Sequence, residues 1–252
     1  IEIGNNYIIT VGGYTRSSDF PLTAGSYQTS YGGGTNDAFI LRLNSSGSIL
    51  TFSTLLGGDA EDYILTLEQD ASSDIYAIGY SNGTFPTTPG AYQNSGNGLY
   101  DIFITKLSSN GSTLIHSTLI GGSGYDRGFN IQLDNTGCIY CVGTSDGNFP
   151  STPGVYDPTP NGQNDIVLFK LSADFTNLIY STFVGGPGND YTSSKFGFLL
   201  NNSNQLTVCG KCSSGFPTTV GAYSQTFAGG TYDVCLLQIN STFSSLIFST
   251  YL

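Results

Sequence analysis

The sequence predicts an all-β chain, a β-propeller array of four tandem four-stranded antiparallel blades, and three observations lead there. Phe-Pro recurs with its proline at Pro21, Pro86, Pro150 and Pro217, at spacings of 65, 64 and 67 residues. An aspartate opening an apolar run recurs at Asp37, Asp101, Asp165 and Asp233, and a Ser-Thr pair at Ser53, Ser117, Ser181 and Ser249, both at spacings of 64, 64 and 68. The apolar runs are consecutive rather than alternating, as in Asp165-Ile166-Val167-Leu168-Phe169 and Leu246-Ile247-Phe248, so both strand faces need cover. Blades stacked around an axis supply it. A β-sandwich leaves its outer faces wet, and a solenoid repeats in about 20–30 residues per coil.

Each period divides into four short strands at turn signals. In the third copy these are about Arg127–Asp134, Cys138–Thr144, Asp165–Ser172 and Leu178–Gly185. A tight Asn135-Thr136-Gly137 turn joins the first two, and Ala173-Asp174-Phe175-Thr176-Asn177 joins the last two. A longer loop holding Phe149-Pro150-Ser151-Thr152-Pro153-Gly154-Val155-Tyr156 separates the second strand from the third. The four blades are expected at 1–58, 59–122, 123–186 and 187–252. Copies two to four start after Gly57-Gly58, Gly121-Gly122 and Gly185-Gly186, with an acid following at Asp62, Asp126 and Asp190. The first copy begins inside its first strand and the last stops before its Gly-Gly, so the array is expected to be a fragment of a longer chain.

Charged residues are 10% of the 252 and the formal net charge is −11. Seven Lys and Arg in all argue against nucleic acid, whose phosphates must be neutralised by cations. No apolar run approaches the ~20 residues of a membrane helix, so no membrane insertion is expected. Sparse Lys with abundant Ser, Thr, Asn and Gly points to an extracellular or cell-surface location. The sequons Asn44, Asn82, Asn110, Asn201 and Asn240 are candidate N-glycosylation sites, with Asn44, Asn110 and Asn240 near the same turn of the repeat.

Candidate chemistry falls mostly on repeat positions and reads as structural. Arg42, Lys106 and Lys170, with Gln238 in the fourth copy, each follow the repeat aspartate by five residues, which fits an Asp accepting turn amides and a base near a strand end. The single histidine, His116, stands where Phe52, Tyr180 and Phe248 stand in the other copies. No G-x-S-x-G elbow accompanies it, so no catalytic residues and no cofactor are expected. Five cysteines include two C-x-x-C pairs, Cys138 with Cys141 and Cys209 with Cys212, besides Cys235. Both pairs lie in strand-like text, where i and i+3 point to opposite faces, which disfavours a metal site. Asp59, Glu61 and Asp62 are a weak calcium candidate without the order of a dedicated loop. Tyr27, Tyr92, Tyr156 and Tyr223 close the Phe-Pro loops. They are read first as structural cover between blades and second as rings that stack on sugars.

The wording of the repeat resembles the SBBP-type β-propeller repeat. The resemblance rests on Gly79-Tyr80-Ser81 with Phe85-Pro86-Thr87-Thr88-Pro89-Gly90-Ala91-Tyr92-Gln93, on Asp101-Ile102-Phe103-Ile104-Thr105-Lys106-Leu107 and on Ser117-Thr118-Leu119-Ile120-Gly121-Gly122-Ser123-Gly124. It covers essentially the whole chain, four times over. It implies a building block of long secreted or surface-anchored proteins of bacteria and archaea. Departures concentrate in the fourth copy, at Lys195-Phe196-Gly197 and Thr218-Thr219-Val220-Gly221, so that blade is expected to face a different neighbour. The expected function is a non-enzymatic structural or interaction module, such as a subunit of a surface filament or an adhesin. Its expected partners are other domains of the same long chain, copies of itself, surface proteins or glycans. The alternatives are a glycan-binding propeller module and, third, a polysaccharide-active enzyme.

Overall fold

The structure is a computed structural model that describes residues 1–4, 7–195 and 197–252. Phe196, one of the departures noted above, lies outside the described residues. Four separate four-stranded sheets follow one another along the chain, each an antiparallel meander. Blade 1 holds β1 (Glu2–Ile3), β2 (Ile9–Thr15), β3 (Asp37–Leu43) and β4 (Leu50–Leu56). Blade 2 holds β5 (Asp62–Gln69), β6 (Ile75–Ser81), β7 (Asp101–Leu107) and β8 (Leu114–Ile120). Blade 3 holds β9 (Asp126–Leu133), β10 (Ile139–Ser145), β11 (Asp165–Leu171) and β12 (Leu178–Val184). Blade 4 holds β13 (Phe198–Leu200), β14 (Leu206–Cys212), β15 (Asp233–Ile239) and β16 (Leu246–Tyr251). The third-repeat strands fall within one residue of the ends expected from the text. The first strands of neighbouring blades lie against one another, β1 on β5, β5 on β9 and β9 on β13, so each blade presents its first strand innermost.

Three apolar cores fill the three spaces between consecutive blades. Ala38, Ile40 and Phe52 of blade 1 meet Ile64, Ala77 and Phe103 of blade 2. Ile78, Ile102 and Ile104 meet Ile131, Cys141 and Phe169 of blade 3. Tyr140, Ile166 and Leu168 meet Val208, Cys235 and Leu237 of blade 4. The two middle strands of blades 2 and 3, β6, β7, β10 and β11, are therefore buried almost without interruption, every residue of β10 included. In β14 and β15, by contrast, half-buried and exposed positions alternate with buried ones. The run Leu246-Ile247-Phe248 departs from the expected two-sided cover, since Ile247 is exposed. The physical reason is that a consecutive apolar run needs a neighbour on each side, and blade 4 has one on a single side.

Two of the sequence markers explain each other as a clamp inside the blade. Ser117, Ser181 and Ser249 on the fourth strand each donate a hydroxyl hydrogen bond of 2.6 Å to the carbonyl of the loop proline, Pro86, Pro150 and Pro217. The amides of Thr23, Thr88, Thr152 and Thr219, in the same loop, donate to the carbonyls of Ser53, Ser117, Ser181 and Ser249 at 3.0–3.1 Å. Proline fixes the backbone φ and so the direction of the carbonyl-bearing turn, while Phe85, Phe149 and Phe216 beside it bury their rings. The repeat aspartates tie down the other end of the loop. Asp37, Asp101, Asp165 and Asp233 accept backbone amides from Gly32, Asn97, Asn161 and Ala228.

Candidate functional site: the seams between blades

The Phe-Pro loops of blades 1 to 3 each end on a tyrosine whose amide donates to the next blade. Tyr27 reaches the carbonyl of Gly111 (2.8 Å), Tyr92 that of Phe175 (2.8 Å) and Tyr156 that of Phe243 (2.7 Å). The three acceptors sit at one position of the turn between the third and fourth strands, with φ of +72°, +63° and +55°. Glycine adopts that region freely, whereas phenylalanine adopts it at a cost. Cost and benefit meet in the side chain. Phe175 is fully buried, with its ring 5.3 Å from His116 and 6.2 Å from Tyr76 of blade 2. Phe243 sits likewise, 5.9 Å from Tyr180 and 6.1 Å from Tyr140 of blade 3.

The seam between blades 1 and 2 is built differently. Gly111 brings no ring, and Phe52 of blade 1 occupies the space so closely that a Cβ on Gly111 would collide with it. Arg42 lies over the Phe52 ring, donates from Nε to Thr10 Oγ1 (3.0 Å), and reaches Gln69 Oε1 (2.9 Å) and the Ser73 carbonyl (3.0 Å) of blade 2. Lys106 and Lys170, at the same repeat position, instead pair with Asp70 (2.9 Å) and Asp134 (3.3 Å) and lie over Tyr76 and Tyr140. At the opposite end of every seam a second backbone bond recurs, from Asp62 to Asn36, Asp126 to Tyr100 and Asp190 to Asn164 (2.7–2.9 Å).

The structure separates the sequence-predicted tyrosines into two groups. Tyr27, Tyr92 and Tyr156 are half-buried in seams, where burial pushes their phenols up. Tyr223, on the face of blade 4 that no blade covers, is 88% exposed. His116 is a wall of the Phe175 slot, and burial pushes its imidazole down. Cys138 packs toward blade 4 while Cys141 packs toward blade 2, and all five cysteines are free. Asp59, Glu61 and Asp62 are engaged separately. Asp59 accepts from the Thr84 amide (2.8 Å), Glu61 from the hydroxyls of Tyr100 (2.8 Å) and Tyr63 (3.2 Å), and Asp62 from the Gly58 amide (2.8 Å). Among the described residues no three His, Cys, Asp or Glu side chains converge as metal ligands. The sequon side chains Asn44, Asn110, Asn201 and Asn240 accept amides of their own turns, and Asn82 accepts from the Glu61 amide.

Sequence reasoning missed an aromatic ladder at one end of the blades. Tyr14, Tyr63, Tyr80, Tyr100 and Tyr125 follow one another at centroid distances of 4.7–5.4 Å. Arg127 lies 5.4–5.8 Å from the centroids of the last three. Glu61 sits beneath the ladder, held below the usual carboxylate range by Tyr100 first, while burial and then Glu61 raise the Tyr63 and Tyr100 phenols to about 12. The signal was an aromatic or cation one residue after the blade-opening acid, at Tyr63, Arg127 and Tyr191, but its partners come from other repeat positions. At the other end a cleft of about 660 Å³ opens between blades 2 and 3, lined in part by Glu68, Asp70, Lys106, Gln132, Asp134 and Leu200. Its basic group is already paired with Asp70.

Residues 115–150 match the SBBP family, a beta-propeller repeat. The matched stretch runs from β8 through β9 and β10 into the Phe-Pro loop of blade 3, and so spans the passage from one blade to the next. No curated protein matches the chain.

Proposed function

We propose that this chain, an array of SBBP-type β-propeller repeats, is a non-enzymatic structural and interaction module of an extracellular or cell-surface protein, a body segment of a surface filament or adhesin. The observation that carries this reading is where the repeated residues are spent. Phe-Pro, Ser-Thr, the aspartate and the loop tyrosine each make a hydrogen bond that closes a blade or joins it to the next. A chain whose recurrent residues all serve its own stacking is suited to load-bearing and display, with partners among other domains of the same long protein, copies of itself or surface ligands. Low charge and five sequons support the extracellular setting. Antibody labelling of intact source cells, followed by electron microscopy of the shed or extracted material, tests it. Surface label on fibres or extended appendages is the expected result, and label confined to the cell interior overturns the reading.

A second reading, glycan binding, has its own observation in the tyrosine ladder, where Tyr14 is 51% and Tyr125 38% exposed. Rings of that kind stack on sugar faces.

A further inference from the structure

The first two seams each bring two repeat aspartates together. The residue that opens the third strand of one blade, Asp37 or Asp101, meets the residue that opens the first strand of the next, Asp62 or Asp126, and all four are buried. They converge on the first glycine of the Gly-Gly link between the blades. A Cβ on Gly121 would collide with Asp101 Oδ1 and stand 2.8 Å from Asp126 Oδ2. One on Gly57 would stand 2.5 Å from Asp62 Oδ2 and 3.3 Å from Asp37 Cγ. Neither glycine has a left-handed φ, so the space between the carboxylates, and not the backbone, calls for glycine here.

Each of these carboxylates is satisfied on one side only. Oδ2 of Asp37, Asp62, Asp101 and Asp126 accepts the amide of Gly32 (2.6 Å), Gly58 (2.8 Å), Asn97 (3.0 Å) and Gly122 (2.7 Å). Oδ1 of all four is buried without a partner, and no Lys, Arg or His pairs with them among the described residues. Two buried carboxylates side by side need a proton or a cation between them. The same demand shows in Asp62 and Asp126, which burial first, and then Asp37 and Asp101, raise to about 7 and about 6. The further side chains at hand are hydroxyls, Ser81 across from Asp62 and Ser145 across from Asp126. Oxygen donors of this kind, completed by water in a flexible shell, suit calcium. The third seam is built differently. Asp190 Oδ1 takes the Ser213 amide (2.8 Å), Cys212 stands where Ser81 and Ser145 stand, and Asp165 Oδ1 is left as the one orphan.

We propose that Asp37 with Asp62, and Asp101 with Asp126, each bind one calcium ion that ties a blade to the next. Both ions lie at the end of the seam away from the loop tyrosine, where the Asp62 and Asp126 amides already donate to Asn36 and Tyr100. Of Asp59, Glu61 and Asp62, only Asp62 takes part, because Asp59 is held by the Thr84 amide and Glu61 by the tyrosine hydroxyls. The ion takes the place of a proton. In calcium-free buffer each pair falls back on that proton, and this is the state in which the buried carboxyls titrate. Calcium binding here is a property of the seams and does not depend on where the chain is displayed.

Isothermal titration of calcium chloride into the chelator-treated 252-residue chain at pH 7.5, with melting curves in calcium and in EGTA, tests it. The expected result is two ions per chain with a Kd of about 10⁻⁴–10⁻³ M. The melting temperature should stand about 5 °C or more higher in about 10 mM calcium than in EGTA. Asp62→Asn and Asp126→Asn keep an oxygen for the glycine amides and remove the charge. Each is expected to bind one ion, and the double variant none, melting at one temperature in both buffers. In EGTA the double variant should melt no lower than the unaltered chain, which separates loss of the ions from loss of the fold. Asp59→Asn, beside the first pair, should leave both ions bound. An unaltered chain with neither binding nor a shift overturns the proposal and leaves the pairs as proton-sharing acids. Binding that survives in the double variant, or that Asp59→Asn removes, overturns it as well, because the ions then sit on surface acids. Should the double variant not fold, the step from two ions to one in each single variant decides.

Discussion

Asp62 shows what burial does to a single residue in this fold. It is fully buried, it accepts the Gly58 amide through Oδ2, and its Oδ1 has no partner. Burial raises its carboxyl from the ordinary 3.8 to about 7, against hydrogen bonds from Ser81 and Gly58 that lower it and with a further push from Asp37. Asp126 and Asp165 reach about 6 for the same first reason. A carboxyl whose folded pKa lies above its unfolded one binds protons more tightly when folded. Its contribution is present below about pH 4 and is lost as pH rises through 6 to 7. Asp174, held at about 2 by Ser172 first and then Thr176, acts only below that window. The melting temperature is therefore expected to fall between pH 4.5 and pH 7.5. Asp62→Asn should flatten the profile and stabilise the protein at pH 7.5 by up to about 4 kcal/mol, at about 1.4 kcal/mol per pKa unit. A melting temperature that is level or rises across that range would refute the assignment.

Among elements, the turn between the third and fourth strands decides how a seam is filled. Phe175→Ala empties a fully buried ring site between His116 and Tyr76 and is expected to cost about 3–5 kcal/mol. Gly111→Ala drives a Cβ into Phe52 and is expected to cost about 1–3 kcal/mol beyond its φ penalty. Gly47→Ala meets no neighbour and should cost only that penalty, about 1 kcal/mol. Chemical denaturation of the three variants under conditions where the chain is monomeric gives the order. Equal losses at Gly111 and Gly47 would show that the Phe52 contact is not tight. The turn itself was legible in the text, but its role was not. Its tenth position after the repeat aspartate reads Gly47, Gly111, Phe175, Phe243, which looks like tolerance until the residue each one meets on the preceding blade is known.

At the scale of the molecule, stability in a stacked array is a sum of blade terms and neighbour terms. Blades 2 and 3 are covered on both faces, and blades 1 and 4 on one. Amide hydrogen exchange is expected to be slowest in β6, β7, β10 and β11 and faster by an order of magnitude or more in β2, β3, β14 and β15. Uniform protection across the four blades would instead mean that a partner covers the outer faces or that the array opens as one unit.

The period, the four strands of each repeat, the demand for cover on both strand faces and the structural use of the aspartates and Phe-Pro loops were all legible in the text of the chain. These are legible because strand alternation, turn chemistry and proline geometry are local, and fourfold repetition separates them from chance. The stacking of the blades settles which loop tyrosine is buried and which is bare, assembles the ladder from Tyr14 to Tyr125, and sorts the turns into glycine and phenylalanine seams. Each of those depends on the residue that the next blade places opposite. That residue lies roughly one repeat away in sequence, and a blade's own text does not say whether a neighbour is there.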